Sequence, residues 1–484
     1  MENSMARPAP STLDPQELQE QLDANLKQEQ WKRYRCTLVT PMYGGGVKAG
    51  EVDVAMPIRA TEIRGQLRFW WRLLNRKKYP DTQELFKAER AIWGGLGDED
   101  TLAKSKVAVM VSKQPGFKTQ PSKEAKAGIK YVFGQGEVQW LSAPQKFEIR
   151  LQYPASLELE VASAFQWWAN FGGLGAKTRR GFGAVQVHDV TAVSDQELQD
   201  IGCMIARAET TEDELSAWQN ANNKLHQFRQ MPGIARARGG ERPGRSFWPE
   251  PDQLRRDFRM DDDGKHKPMH QAGNVFGRAA FGLPIIFDFR KSSEPAKTEL
   301  LPAGDKERMA SPLILRPCIH NGRWTATALL LPNWKEALHQ PLRYKSGNGT
   351  PMPWPKDEKE QKRIASTIAP MVTNDELRGS NPLTAFMAYF AEHQSDATKV
   401  AAIKTAIIGE ITLEGARLKF NRGSGTLSAE KSGQSYPVEV KEKSLEILNN
   451  LSDEAKKKVM NGDQSLRFTV NTKGRYLIKV EETK

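Results

Sequence analysis

An α+β fold built from two ferredoxin-like (RRM-like) domains with helical and loop insertions is what this sequence predicts, on three observations. At 484 residues the chain is too long for one ordinary core and suits about two to four domains. Over residues 31–190 the apolar pattern switches between strand and helix periods in the order strand, helix, strand, strand, helix, strand, which is the split βαβ unit. After residue 274 a second set of strand-like and helical segments repeats that mixture with insertions.

Residues 1–30 read as a polar leader and a short helix. Asp14, Pro15 and Glu17 supply an N-cap, a first-turn proline and an acidic first turn, and Leu18, Leu22 and Leu26 give one narrow apolar stripe. The first domain spans 31–190. Its first strand, over 34–39, stops at Thr40-Pro41 and three glycines, Gly44, Gly45 and Gly46. The strongest helical periodicity follows in PIRATEIRGQLRFWWRLLNRKK: at about 100° per residue, Leu67, Trp70, Trp71 and Leu74 share an arc that must be core. A second helix over 84–93 runs into the turn GGLGDED, a strand covers 106–112, and another lies within 136–153 with Phe147, Ile149 and Leu151 on one face. A helix over 156–170, with Leu159, Ala162, Phe165, Trp167 and Trp168 as packing residues, enters a glycine-rich loop, and a strand over 184–190 closes the domain.

Residues 191–273 read as a helical and Arg-rich insertion, with helices over 195–208 and 213–230 ahead of IARARGGERPGRSFWPEPDQLRRDFR. The second domain, 274–420, contains a strand-like core in NVFGRAAFGLPIIFDF and strands over 312–319 and 323–331. An exposed loop PMPWP at 351–355, helices over 381–392 and 398–409, and a strand over 410–420 complete it. Residues 421–484 hold a flexible stretch, GSGTLSAEKSGQS, a Lys-rich helix over 444–460, and closing strands over 465–470 and 476–481.

Charge narrows the partners. Lys plus Arg number 71 against 59 Asp plus Glu, a net charge of +12, which suits an acidic partner and most commonly nucleic acid. The three cysteines, Cys36, Cys203 and Cys318, are odd in number, far apart and without a CxxC pair, so neither a disulfide framework nor a cysteine zinc site is expected, and a reducing cytoplasm fits. No apolar run is long enough to span a bilayer. GxSxG, HExxH and the Walker pattern are absent, and GGLGAKT is too short for a P-loop and follows a helix instead of preceding one. His266 and His270 near Asp261, Asp262 and Asp263 make a weak metal motif, so no cofactor or metal is expected. His188, just past the glycine-rich loop, reads as an ordinary strand histidine or else as a general acid for metal-free RNA cleavage.

Two basic features remain as candidate sites. In FGGLGAKTRRGFGAV, residues 171–185, five glycines (Gly172, Gly173, Gly175, Gly181 and Gly183) bracket Lys177, Arg179 and Arg180, with Phe182 beside them. Glycines admit close backbone approach and positive φ, and cations bond phosphate, so the loop reads as a holder of an RNA backbone or else as a solvated connector. Along the helix, Arg64, Arg68, Arg72 and Arg76 form an i, i+4 ladder whose like charges repel unless something acidic faces them. RNA phosphates, carboxylates elsewhere in the fold, or water would all serve. A third basic stretch, with Arg236, Arg238, Arg242, Arg245, Arg255, Arg256 and Arg259 interleaved with Phe247 and Trp248, reads as an Arg/aromatic binding segment or a solvated linker.

TPMYGGG, PIRATEIRGQLRFWWR, IWGG, FGGLGAKTRRGFGAV, FGRAAFGLP and ASPLILRP, spread between residues 40 and 317, together resemble the RAMP superfamily of CRISPR proteins, in particular the first subunits of type III-B (Cmr) effector complexes. The resemblance implies a non-catalytic subunit lying toward the 3′ end of the crRNA and helping to load target RNA, with crRNA, target RNA and other RAMP subunits as partners and no membrane. It implies RNA contacts at Arg59, Arg64, Arg68 and Arg72, and at Gly172, Gly173, Gly175, Lys177, Thr178, Arg179, Arg180 and Phe182. The aromatic residues of ordinary RRM strands are not visible, so recognition through the RNA backbone is expected. The alternatives are a metal-independent RAMP endoribonuclease that processes CRISPR transcripts, and a protein-docking adaptor whose arginine ladder faces another subunit.

Overall fold

The computed structural model describes residues 31–482 apart from 47–49, 54, 97–101, 113–118, 122–128, 130, 133–138, 238–243, 259–266, 269, 290–293, 348, 373–377, 393–409, 415, 422–425, 432–433, 439–441, 462, 464 and 472–475. The helices expected before residue 30 and over 398–409, with Arg238, Arg242, Arg259, His266 and the Asp261 to Asp263 run, lie outside the described residues. The fold is α+β. It comprises two compact units, the first within 1–123, 137–178 and 182–193, the second within 124–136, 179–181 and 194–484.

The first unit is built on strands β1 (Lys32–Leu38), β2 (Ala108–Ser112), β3 (Gln145–Gln152) and β4 (Val185–Val187) and helices α1 (Ala60–Asn75), α2 (Thr82–Trp93) and α3 (Glu158–Phe171). The strands form one antiparallel sheet in the order β2-β3-β1-β4. Phe147, Ile149 and Leu151 alternate along β3 and are all buried, as a half-buried strand requires. On α1 Leu67, Trp70 and Trp71 are buried as expected, together with Ile63, whereas Leu74 is only half-buried, and Trp70 meets Trp167 and Phe171 of α3 at ring-centroid distances of 6.0 and 6.3 Å. Each such indole contributes about 1.5–3 kcal/mol by leaving water, so this seam fixes α1 against α3. Leu159, expected among the packing residues of α3, is 80% exposed because it lies in the first turn, before the buried stripe begins at Val161.

In the second unit α4 (Asp195–Ile201) ends at Gly202, whose φ of +91° stops the helix. The helix expected over 195–208 therefore gives way to a strand, β5 (Met204–Thr211). Ala206 and Ala208 favour helix by propensity, but with Met204 they are buried at every second residue, the strand period. Helix α5 (Glu214–Gln230) follows, then α6 (Glu250–Asp257). Strands β6 (Ile285–Phe287), β7 (Thr298–Pro302), β8 (Leu313–His320), β9 (Arg323–Leu330) and β10 (Leu342–Tyr344) and helices α7 (Glu358–Ala365) and α8 (Pro382–Ala391) complete the middle of the chain. The sheet order β8-β9-β5 draws part of the expected insertion into the central sheet, and α5 packs on β8 and β9. Strands β6, β7 and β10 form a second antiparallel sheet.

Two expectations in this unit are corrected. FGRAAF is not a strand but a 3-10 turn, Gly277–Phe281, because Phe276, Ala279, Ala280 and Phe281 are all buried, which consecutive residues of a one-sided strand cannot achieve. PMPWP is not an exposed loop at its tryptophan: Trp354 is buried and its Nε1 donates to Ser380 O at 3.0 Å. At the C-terminal end, the stretch expected to be flexible supplies strands Thr426–Lys431 and Gln434–Val438, and the Lys-rich helix is two, Glu442–Asn449 and Asp453–Met460. They surround a small core that includes Leu413, Leu418, Leu466, Phe468 and Leu477.

Candidate nucleic-acid interface

In the first unit the two glycine stretches meet. Ala176 N donates to Tyr43 O at 2.6 Å, Gly183 N to Pro41 O at 2.9 Å and Leu174 N to Gly183 O at 2.8 Å, so TPMYGGG and the glycine-rich loop are stitched main chain to main chain. Two glycines are required by that approach. A Cβ at Gly175 (φ +77°) would lie 2.4 Å from Tyr43 O, and one at Gly183 (φ +63°) 1.9 Å from Leu174 O. Gly172 and Gly173 are buried in the same packing. The N-terminus of α1 reaches this junction, for Glu62 Oε1 accepts the Gly175 N–H. Burial pushes the Glu62 carboxyl above its ordinary range, with the Gly175 N–H and the Arg59 charge pulling the other way. Four loop amides, those of Leu174, Gly175, Ala176 and Gly183, thus have protein acceptors, and the expectation that glycine amides cradle phosphate gives way to side chains as the contact atoms. Lys177 is exposed at the tip with φ +60°, and Thr178, Arg59 and Arg64 are partly exposed.

The arginine ladder divides. Arg68 Nε and Arg72 Nη1 both donate to Glu89 Oε1, at 2.5 and 2.6 Å, and the Glu89 side chain is 1% exposed. Of the three partners left open for the ladder, an internal carboxylate holds for these two arginines. Glu89 was missed, although a signal existed: it precedes the buried Ile92 and Trp93 by three and four residues on α2, which puts an acid on the core arc. Among the described residues Arg59, Arg64 and Arg76 form no ion pair, so both ends of the ladder are free, and Arg64 is at the end nearer the glycine junction.

Residues 179–181 belong to the second unit, and there the expected phosphate clamp is a structural anchor. Arg180 Nη1 donates to Leu313 O at 3.1 Å and Nη2 to Phe281 O at 3.1 Å, with Ser311 Oγ bonded to both. Its own carbonyl accepts from Trp218 Nε1 at 2.8 Å and Asn222 Nδ2 at 3.1 Å. Arg179 Nη1 donates to Ser311 O at 3.0 Å. Desolvation brings both guanidinium groups down to about 10. Phe182, in the first unit, is fully buried against Trp140, so it offers no face to a base. Arg180 and Phe182 therefore leave the set of contact residues, because their polar atoms and ring face are already occupied.

The Arg/aromatic segment, where it is described, is tied into the protein by its partners, with Arg256 exposed. Trp248 is buried with Nε1 donating to Phe228 O, Arg245 and Arg255 pair with Asp252, and Arg255 also bonds Glu294 at 2.7 Å. Arg256 donates to His270 O, and His270 Nε2 lies 3.0 Å from Phe247 O. Among the described residues no cluster of three or more His, Cys, Asp or Glu could hold a metal ion. His188 Nε2 sits 2.9 Å from Thr37 Oγ1 on an exposed surface. No helix among the described residues is long and apolar enough to cross a membrane.

Residues 35–186, which hold the four-stranded antiparallel sheet, two helices joined through tryptophans and the two interlocked glycine stretches, match the sequence model of the RAMP superfamily. Among solved structures, the chain is similar to apo Cmr1 from Pyrococcus furiosus, at 16% identity over 65% of this chain and 98% of that one, with a TM-score of 0.35. It is similar also to a chain of a type III-B Cmr-beta complex bound to cognate target RNA and AMPPnP in the presence of single-stranded DNA, at 12% identity over 70% and 99%, with a TM-score of 0.35. No curated protein matches this chain by sequence.

Proposed function

We propose that this chain is a non-catalytic, crRNA- and target-RNA-binding RAMP subunit of a type III-B CRISPR effector complex, located toward the crRNA 3′ end and assisting target loading. The carrying observation is that the region matching the RAMP superfamily contains the junction where the α1 N-terminus and both glycine stretches meet, with Arg59, Arg64 and Lys177 at its surface. The motifs from TPMYGGG to ASPLILRP support the type III-B assignment by resemblance. We read the order β2-β3-β1-β4 as the ferredoxin-like arrangement, and β8-β9-β5 with α5 and α8 as a second such module lacking one edge strand among the described residues.

The mechanism is electrostatic. Cationic side chains neutralise and position phosphates, base pairing within the guide supplies the sequence, and the protein therefore binds unrelated RNAs alike. Incubating the full chain with labelled single-stranded RNAs of unrelated sequence, with EDTA present, tests this: similar affinities and intact RNA are expected. Discrete cleavage would make it a ribonuclease, and no RNA affinity until other subunits are added would make it a docking adaptor.

A further inference from the structure

On α5 the residues Trp218, Leu225 and Phe228 face the core, while His226 and Arg229 lie one turn apart on its partly exposed side. The His226 ring stacks on Tyr131 with centroids 4.8 Å apart and planes at 33°. The Arg229 Cζ lies 6.0 Å from the Tyr131 ring centroid and 5.4 Å from that of Phe281. Arg229 Nε is buried and has no acceptor, and the Arg229 side chain makes no hydrogen bond or ion pair among the described residues. The charges that reach it are Arg180, Arg278 and Glu250. Glu250 is fully buried and already bonded by Arg278, through its backbone N at 2.8 Å and Nε at 3.1 Å, and Arg180 is bonded to neutral carbonyls. Three guanidinium groups therefore share one carboxylate. Aromatic faces attract a guanidinium only modestly, and a desolvated cation left without an anion is costly. Such a cation is best accounted for by an anion that arrives with a partner.

We infer that Arg229 takes a phosphate of single-stranded RNA and that the adjoining Tyr131 and His226 rings stack an unpaired base of the same strand. The ring pair decides the class of anion. A carboxylate of a protein partner would use the guanidinium alone, whereas single-stranded RNA presents phosphates and flat bases side by side. The inference rests on the RNA-binding reading above and adds to it a site in the second unit that the sequence did not reveal, because Tyr131 and His226 are 95 residues apart and neither sits in a basic run.

The test is fluorescence anisotropy of the full chain with labelled oligouridine across a salt series. Arg229→Gln should weaken binding about tenfold and make the log-log salt slope shallower by about 0.7, the share of one phosphate. Tyr131→Ala should weaken it about tenfold with the slope unchanged, and Tyr131→Phe should bind like wild type. Ultraviolet crosslinking of the unaltered protein, mapped by mass spectrometry, should place an adduct on Tyr131 or His226, so the inference stays open to refutation even where a variant misfolds. Wild-type RNA binding that neither substitution changes, with adducts only elsewhere, would overturn this site and leave the proposed function standing. If oligouridine binding is unmoved but a polyglutamate peptide loses affinity for Arg229→Gln, the site takes protein carboxylates and the inference falls. Wild-type protein that binds no RNA would remove both.

Discussion

Arg68 and Arg72 in the first unit share one buried carboxylate, Glu89, whereas in the second unit Arg180 bonds to carbonyl oxygens and Arg229 packs on aromatic rings with no ion pair among the described residues. The first arrangement cancels half of the charge it gathers. The second leaves its charge in place, since a carbonyl satisfies the donors of a guanidinium without neutralising it. Runs of arginine that read alike in sequence therefore differ in what they leave for an outside anion, and an internal carboxylate is the deciding partner.

The largest effect that would break this comparison is expected at Arg180. Arg180→Met withdraws the donors from Phe281 O and Leu313 O, and at about 1–3 kcal/mol for each buried acceptor left unsatisfied, urea unfolding should show a loss of about 3 kcal/mol. A loss below about 1 kcal/mol would return Arg180 to the set of possible RNA contacts. Glu89→Gln should follow at about 2 kcal/mol, reduced from the full value of a buried pair because Arg68 and Arg72 are 27% and 43% exposed. It should also restore RNA affinity to the middle of the ladder, read as a steeper salt dependence, and an unchanged slope would show that these arginines are out of reach of RNA.

The smallest effect belongs to Glu62. Its carboxyl is raised above the ordinary value in the folded state, so between that value and the raised one the folded protein holds more protons than the unfolded chain. Stability should then fall as pH rises through this window and level off above it. Glu62→Gln, which keeps an oxygen for the Gly175 N–H, should flatten this part of the profile; an unaltered profile would refute the assignment.

The sequence was informative where periodicity is long and burial one-sided: the α1 arc, the alternation along β3 and the tryptophans of α3 all follow from spacing. It was uninformative where small residues serve packing. Met204, Ala206 and Ala208 form a strand against helix propensity, and Gly175 and Gly183 serve the meeting of two chain segments, which a local reading of a glycine-rich loop cannot distinguish from preparation for a ligand. Arg59, Arg64 and Lys177 remained at the surface as the sequence suggested, while the partners of Arg68, Arg72 and Arg180 come from 17 to 133 residues away.

The salt dependence of single-stranded RNA binding tests the central claim most directly. If Arg59, Arg64, Lys177 and Arg229 each neutralise one phosphate, the log-log slope of the full chain should be about −3, and replacing Arg59, Arg64 and Lys177 together by Gln should bring it to about −1. A flat salt response in the wild-type protein, or a slope that the triple substitution leaves unchanged, would contradict it.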